Sequence, residues 1–225
     1  MKVFIAGSHT EIGKTHVACA LLRVARAEGR SVAAFKPVLS GFDPADWTGS
    51  DSGRLLAALE TEPTTAALEA ISPFRYAAPL APPMAARLEG RRLELKDLSD
   101  ASRGWLAEAD ADLALVESAG GLMSPIAEDG TVLDLLQALD LPSVLVGGSY
   151  LGSISHTLTA LEVMRARSLA VAAVVVSEDG SADAPDFSQT VELVRRMAAP
   201  TPVLAAGRNG DEAWAGALLE KLRGA

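Results

Sequence analysis

One stretch near the amino terminus, Gly7-Ser8-His9-Thr10-Glu11-Ile12-Gly13-Lys14-Thr15, constrains this chain more than any other. It lies between a short apolar run, Val3 to Ala6, and a segment with apolar residues at Val17, Ala20, Leu21, Val24 and Ala25. That spacing is the stripe of an amphipathic helix from Thr15 to Glu28, closed by Gly29. Strand, glycine-bearing loop and helix, with Gly-Lys-Thr at the helix start, form the setting of a Walker A phosphate loop. A glycine at position 13 lets successive backbone N–H groups curl around phosphate oxygens, and the positive helix end adds attraction. Lys14 is placed to reach the β and γ phosphates, and the Thr15 hydroxyl is the type of oxygen that Mg²⁺ takes. The chain departs from the general pattern at Ser8, where a glycine is usual, with Gly7 one place earlier. The competing reading is an ordinary glycine-containing strand-to-helix turn.

A phosphate loop implies an α/β sheet, and the rest of the sequence supplies one. Further β-branched runs at Val32 to Phe35, Leu113 to Val116, Ser143 to Gly147, Ala170 to Val176 and Val203 to Ala205 read as buried strands. Helical patterns at Leu95 to Ala109, Val132 to Leu139, Ile154 to Arg167, Phe187 to Met197 and Glu212 to Leu222 separate them. The alternation predicts a mainly parallel sheet with helices on both faces, a P-loop NTPase-like fold. Phe42 to Ser50 and the proline-rich Ile71 to Pro83 read as loops leading into helices. No repeat or linker divides the 225 residues, so a single domain spanning 1–225 is expected.

Charge and composition then narrow the classes. Twenty basic side chains against 29 acidic ones give a net charge of −9, which disfavours nucleic acid as a partner. Mean hydropathy is +0.22, yet the longest apolar run, Leu169 to Val176, is far short of the roughly 20 residues needed to span a bilayer. No membrane association is expected. The four apolar residues before Gly7 are too few for a secretory signal, and the single cysteine, Cys19, permits no internal disulfide. A cytoplasmic setting is expected.

Polar residues gather where strands should end. Lys36-Pro37 follows the second strand with Ser40-Gly41 close behind, and Glu117 ends the third before Ser118-Ala119-Gly120-Gly121. In an open parallel sheet such ends converge on the ligand crevice, which places Lys36 and Glu117 near Lys14. Glu117 has the position of a second Mg²⁺ ligand, against the alternative of a solvated strand end. Asp51, after Gly49-Ser50, reads either as a ligand or as the N-cap of a helix.

These residues, in this order, resemble the dethiobiotin synthetases along nearly the whole chain. The resemblance rests on Gly7-x-x-Thr10-Glu11-x-Gly13-Lys14-Thr15, Lys36-Pro37-Val38-x-Ser40-Gly41, Ser50-Asp51, Glu117-x-Ala119-Gly120-Gly121-x-x-x-Pro125 and Leu151-Gly152-x-Ile154. It implies ATP- and Mg²⁺-dependent carboxylation of 7,8-diaminopelargonate with CO2 to dethiobiotin, by a ligase of biotin biosynthesis. By position match it assigns Mg²⁺ to Thr15, Asp51 and Glu117, and the carbamate and transferring phosphoryl to Lys14 and Lys36. It assigns nucleotide contacts to Glu11, Ile12, Gly13, Lys14, Thr15, His16, Asp51, Glu117, Ser118, Ala119, Gly120, Ser177, Glu178 and Gly207. Substrate contacts fall to Thr10 and Ser40, and to Gly152 and Ser155 acting across a homodimer.

Departures from that family pattern are local. His9 stands for Asp, Ser118 for Gly, Ser155 for Asn, Ser177-Glu178 for Asn-Asp, and Ala205-Ala206-Gly207-Arg208 for a stretch ending in proline near the base. Ser177 cannot both donate to and accept from adenine as a carboxamide does, so relaxed nucleotide choice is expected. ParA- and MinD-like partitioning ATPases share the loop type, but their signature lysine falls where His9 stands. An amidotransferase of the cobyrinate type would need a nucleophilic cysteine in a further domain, whereas Cys19 lies inside the first helix and reads as core. A structural relative without activity would tend to lose the phosphate lysine or the metal ligands. His16 and His156 read as packing or hydrogen-bonding residues, since no two histidines have metal-ligand spacing.

Overall fold

Alternate residues of an extended run point to opposite sides, so runs that are apolar throughout can only be covered by sheltering both faces of a sheet. The computed structural model, which describes residues 1–208 and 210–224, shows this arrangement. Its elements in chain order are β1 (Lys2–Gly7), α1 (Lys14–Ala27), β2 (Val32–Phe35), β3 (Val38–Ser40), α2 (Asp51–Ala58), α3 (Thr65–Ile71) and β4 (Phe74–Tyr76). There follow α4 (Pro82–Leu88), α5 (Leu95–Glu108), β5 (Leu113–Glu117), β6 (Pro125–Ala127), β7 (Gly130–Thr131), α6 (Val132–Leu139) and β8 (Ser143–Gly148). The chain continues through α7 (Ser153–Ala166), β9 (Val171–Ser177), α8 (Phe187–Ala198), β10 (Val203–Ala206) and α9 (Ala213–Arg223).

Six strands form one sheet in the order β10-β9-β8-β1-β5-β2, every pairing parallel. They are the six expected strands. Along β1, Phe4 and Ala6 join a core with residues of α5, α6, α7 and α8, while Val3 and Ile5 join another with residues of α1, α2 and α9. Truncating a fully buried member such as Leu115 to Ala would cost about 2–5 kcal/mol. The chain leaves β1 towards β2 and later crosses from β5 to β8, so the strand order reverses at the carboxyl end of β1, where ligands bind in open α/β sheets. The register Ile5↔Glu117 brings the end of β5 level with that point.

Smaller elements differ from expectation. β3 pairs in parallel with β4 inside what reads as loop, and β6 with β7 makes a short antiparallel hairpin. Strands this short show too few residues for alternation to register. Pro82 and Pro83 open α4, because proline at a first helical turn lacks only an N–H that would be unpaired anyway. Among the described residues, no helix is long and apolar enough to cross a membrane.

Candidate active site

Gly7 ends β1 in close contact with the loop it starts: a Cβ there would lie 2.9 Å from Lys14 Cδ and 3.0 Å from the His9 carbonyl oxygen. Glycine therefore lets the Lys14 side chain fold back along the loop, where Nζ donates to that carbonyl at 3.2 Å. Gly13 precedes α1 in the left-handed region, at φ 100°, and no side chain caps the helix. Its first-turn N–H groups stand open at the positive helix end, which is an anion cradle.

Beside the cradle lies a buried charged junction. Glu117 is 0% exposed and its Oε1 accepts from Thr15 Oγ1 at 2.7 Å and from Lys36 Nζ at 2.6 Å, while Oε2 has no partner. Lys36 leaves β2 at its carboxyl end, its backbone N–H donating to Ile71 O at 2.8 Å and its carbonyl accepting from Ser72 Oγ at 2.8 Å. Its Nζ also pairs with Asp51 Oδ2 at 2.7 Å. The helix is capped by Ser50, whose Oγ accepts from the Gly53 N–H at 3.3 Å. Asp51 is thus free of the capping role and turns its carboxylate to the lysine.

Burial and neighbouring charge set the protonation of this group. Burial first, and the Lys36 charge second, push Lys14 down to about 8. For Lys36 burial acts in the same direction, but Glu117 and Asp51 outweigh it and hold the ammonium above the ordinary lysine range. Burial would raise Asp51, yet the Lys36 charge and hydrogen bonds from Lys36 and Thr15 keep its carboxyl below the ordinary value. Two fixed cations and two carboxylates thus face the phosphate cradle.

A cavity of about 830 Å³ opens over the junction, lined by the loop from Thr10 to His16 and by Lys36, Ser40, Asp51, Ala119 and Gly120. Glu117 closes its floor through Thr15 and Lys36. A smaller cavity of about 440 Å³ adjoins it, with Glu11, Ser177 and Glu178 on its wall. Ser177 is 1% exposed, and a Cβ on Gly13 would fall 2.4 Å from its Oγ, so its hydroxyl is packed against the phosphate loop. Ser118 is buried without a side-chain partner and lines neither cavity. Gly207 lies just behind Arg208, and Gly152 and Ser155 are exposed at the start of α7, outside both cavities.

Sequence reasoning did not assign Arg54, Ser124 or Arg208, all of which line the larger cavity. Arg54 was discoverable, since it stands three residues after Asp51 on the same helix face. Arg208 ends the Ala205-Ala206-Gly207-Arg208 stretch that departs from the family pattern near the base, but no spacing marks its side chain as lining the site. His9 stacks on His156 with ring centroids 5.8 Å apart, and His156 Nδ1 meets the Tyr150 hydroxyl at 2.6 Å. His16 packs on Trp214, and burial, then the Arg208 charge, lowers its imidazole from the ordinary value. Cys19 is core: burial pushes its thiol up to about 12.

A family described as an AAA domain matches residues 1–206. The ATP-dependent dethiobiotin synthetase BioD of Phenylobacterium zucineum is 60% identical over 221 residues, covering 98% of this chain and 94% of that protein. Its namesake from Caulobacter vibrioides is 54% identical over 221 residues, covering 98% of both. Among solved structures, the MinC:MinD cell division protein complex of Aquifex aeolicus matches with TM-score 0.57 at 10% identity, covering 99% of this chain and 94% of that one. Hydrogenase maturation factor HypB of Archaeoglobus fulgidus matches with TM-score 0.56 at 13% identity, covering 100% and 89%. At such identities the structural likeness shows the shared α/β fold alone, whereas the sequence relatives align over 98% of the chain at more than half identity. The chain belongs to the ATP-dependent dethiobiotin synthetase family.

Proposed function

We propose that this chain is a ligase that uses ATP to carboxylate 7,8-diaminopelargonate with CO2 and close the ring to dethiobiotin, with release of ADP and phosphate. The observation that carries the reading is the buried Lys36–Glu117–Thr15 junction beside the phosphate cradle, with Lys14 next to it. One amine of the substrate captures CO2, losing a proton, to give a carbamate. A carbamate oxygen takes the γ-phosphoryl group and ADP leaves; the neighbouring amine then attacks the carbamate carbon, forming the second C–N bond and expelling phosphate. Lys14 and Lys36 hold fixed positive charge where negative charge collects in the transition state, in a site screened from water, where such charge acts most strongly. Thr10 and Ser40, both on the wall of the larger cavity, orient the diamine. No side-chain nucleophile is required, and positioning supplies much of the rate.

The oxygens present fit Mg²⁺. Thr15 Oγ1 and the carboxylates of Asp51 and Glu117 are hard donors, and Glu117 Oε2 is buried without a partner. Among the described residues no three His, Cys, Asp or Glu side chains cluster as a metal cage, in keeping with an ion that retains waters and phosphate oxygens. Thr15, Asp51 and Glu117 would hold it, and when bound it neutralises charge on the nucleotide phosphates. The working unit is a cytoplasmic homodimer in which Gly152 and Ser155 of one subunit approach the substrate on the other; Leu151 beside them is 88% exposed. Phosphate release from ATP tests the reaction: it is expected only with both diamine and bicarbonate. Full-rate release without the diamine would overturn the reading.

A further inference from the structure

Arg208, just beyond β10, is carried by the fold onto the phosphate loop. Its Nη2 donates to Ser177 Oγ at 3.2 Å and its Nε to the Glu178 carbonyl at 3.1 Å, while its backbone N–H donates to Glu178 Oε2 at 2.7 Å. Two of these bonds hold the side chain and the third holds its backbone; among the described residues the two side-chain bonds use two of the five guanidinium N–H donors. The same Nη2 stands 3.1 Å from the point where a side chain on Gly13 would begin, and the charge acts on His16. Arg208 lines both the cavity that holds Lys14 and the smaller one beside it.

The two cations take different sides of the loop. Lys14 folds over Gly7, at the end of β1, whereas Arg208 covers Gly13 from the side of β9 and β10. The cradle of such a loop holds the α and β phosphates and its lysine reaches β and γ. A triphosphate with its γ group at Lys14 therefore has its α end towards Gly13, His16 and the guanidinium. We infer that Arg208 is a nucleotide-binding residue that grips the α-phosphate of the bound nucleoside triphosphate. A guanidinium fork matches phosphate oxygens and reads no base in doing so. The grip also keeps Ser177 occupied as its anchor.

This inference rests on the nucleotide-binding reading above, and direct binding separates the two. Titrations of ATP, GTP, CTP and adenosine are followed by calorimetry for wild type, Arg208→Ala and Arg208→Lys. Arg208→Ala is expected to weaken all three triphosphates by one common factor of about tenfold and to leave adenosine unchanged. Arg208→Lys, which keeps the charge but not the fork, is expected to recover part of that loss. A loss that differs between bases, or that adenosine shares, would make Arg208 a base contact and overturn the assignment. Unchanged triphosphate affinity in Arg208→Ala would also overturn it. Failure of the wild-type protein to bind any triphosphate would instead overturn the nucleotide reading itself.

Discussion

Replacing Lys36 by Met keeps the aliphatic stem and deletes the charge. In the native junction Nζ lies 2.6 Å from Glu117 Oε1 and 2.7 Å from Asp51 Oδ2, with Lys36 1% and Glu117 0% exposed. Asp51, half-buried at the cavity edge, regains water when the lysine is lost. Glu117 cannot; it keeps only the Thr15 hydroxyl at 2.7 Å. Removing one partner of a buried pair and stranding the other costs about 3–5 kcal/mol. For a chain of 225 residues, at about 2–4 °C per kcal/mol, the melting temperature should fall by about 10 °C. The double variant Lys36→Met/Glu117→Gln removes the stranded charge as well, so it should be more stable than Lys36→Met alone, an interaction of opposite sign to simple additivity. Urea unfolding followed by circular dichroism measures both. A Lys36→Met protein within about 1 kcal/mol of wild type, with additive effects in the double variant, would show that the junction is solvated and the reasoning wrong.

Lys14 is pushed down to about 8, so the nucleotide-free enzyme loses its ammonium above that pH. In a pH profile, kcat/KM for ATP should fall about tenfold per unit above pH 8, because that parameter reports the free enzyme; a flat profile to pH 10 would contradict the assignment. The stability effect has its own sign: the folded state binds fewer protons than the unfolded chain between about 8 and 10.5, so stability should rise across that window. Gly13→Ala places a Cβ 2.4 Å from Ser177 Oγ at a φ of 100°, and should cost about 1–3 kcal/mol and weaken ATP, with Ser177→Gly restoring part of both in the same binding and unfolding assays. Because Ser177 is packed against the loop, CTP or GTP should support turnover within about tenfold of ATP in kcat/KM, and a thousandfold preference for ATP would place base reading on backbone atoms.

The layers of the fold were legible because each main strand is a short apolar run and most long helices a periodic stripe. Val3 to Ala6 became Lys2–Gly7, and Leu113 to Val116 became Leu113–Glu117, shifts of a residue at the ends. What escaped was short: β3 and β4 carry three residues each, too few for a period, and two prolines disguised the start of α4. In the site, Lys14, Thr15, Lys36 and Glu117 were legible because parallel strands must deliver their carboxyl ends to one crevice. From spacing alone Asp51 is ambiguous between cap and ligand; the resemblance favours the ligand, and in the structure Ser50 takes the cap. Arg208 was legible only as a departure in the stretch near the base; its place against the phosphate loop was not, since its anchors lie 30 and 31 residues away and only the pairing of β9 with β10 brings them together.

The most direct test of the central claim follows carbon. Incubating the protein with isotopically labelled bicarbonate, 7,8-diaminopelargonate, ATP and Mg²⁺ should move label into dethiobiotin with one phosphate released per label incorporated, and omission of any one component should abolish both. Phosphate released without label entering a ring-closed product would contradict the account, because the Lys14 and Lys36 charges would then serve hydrolysis alone.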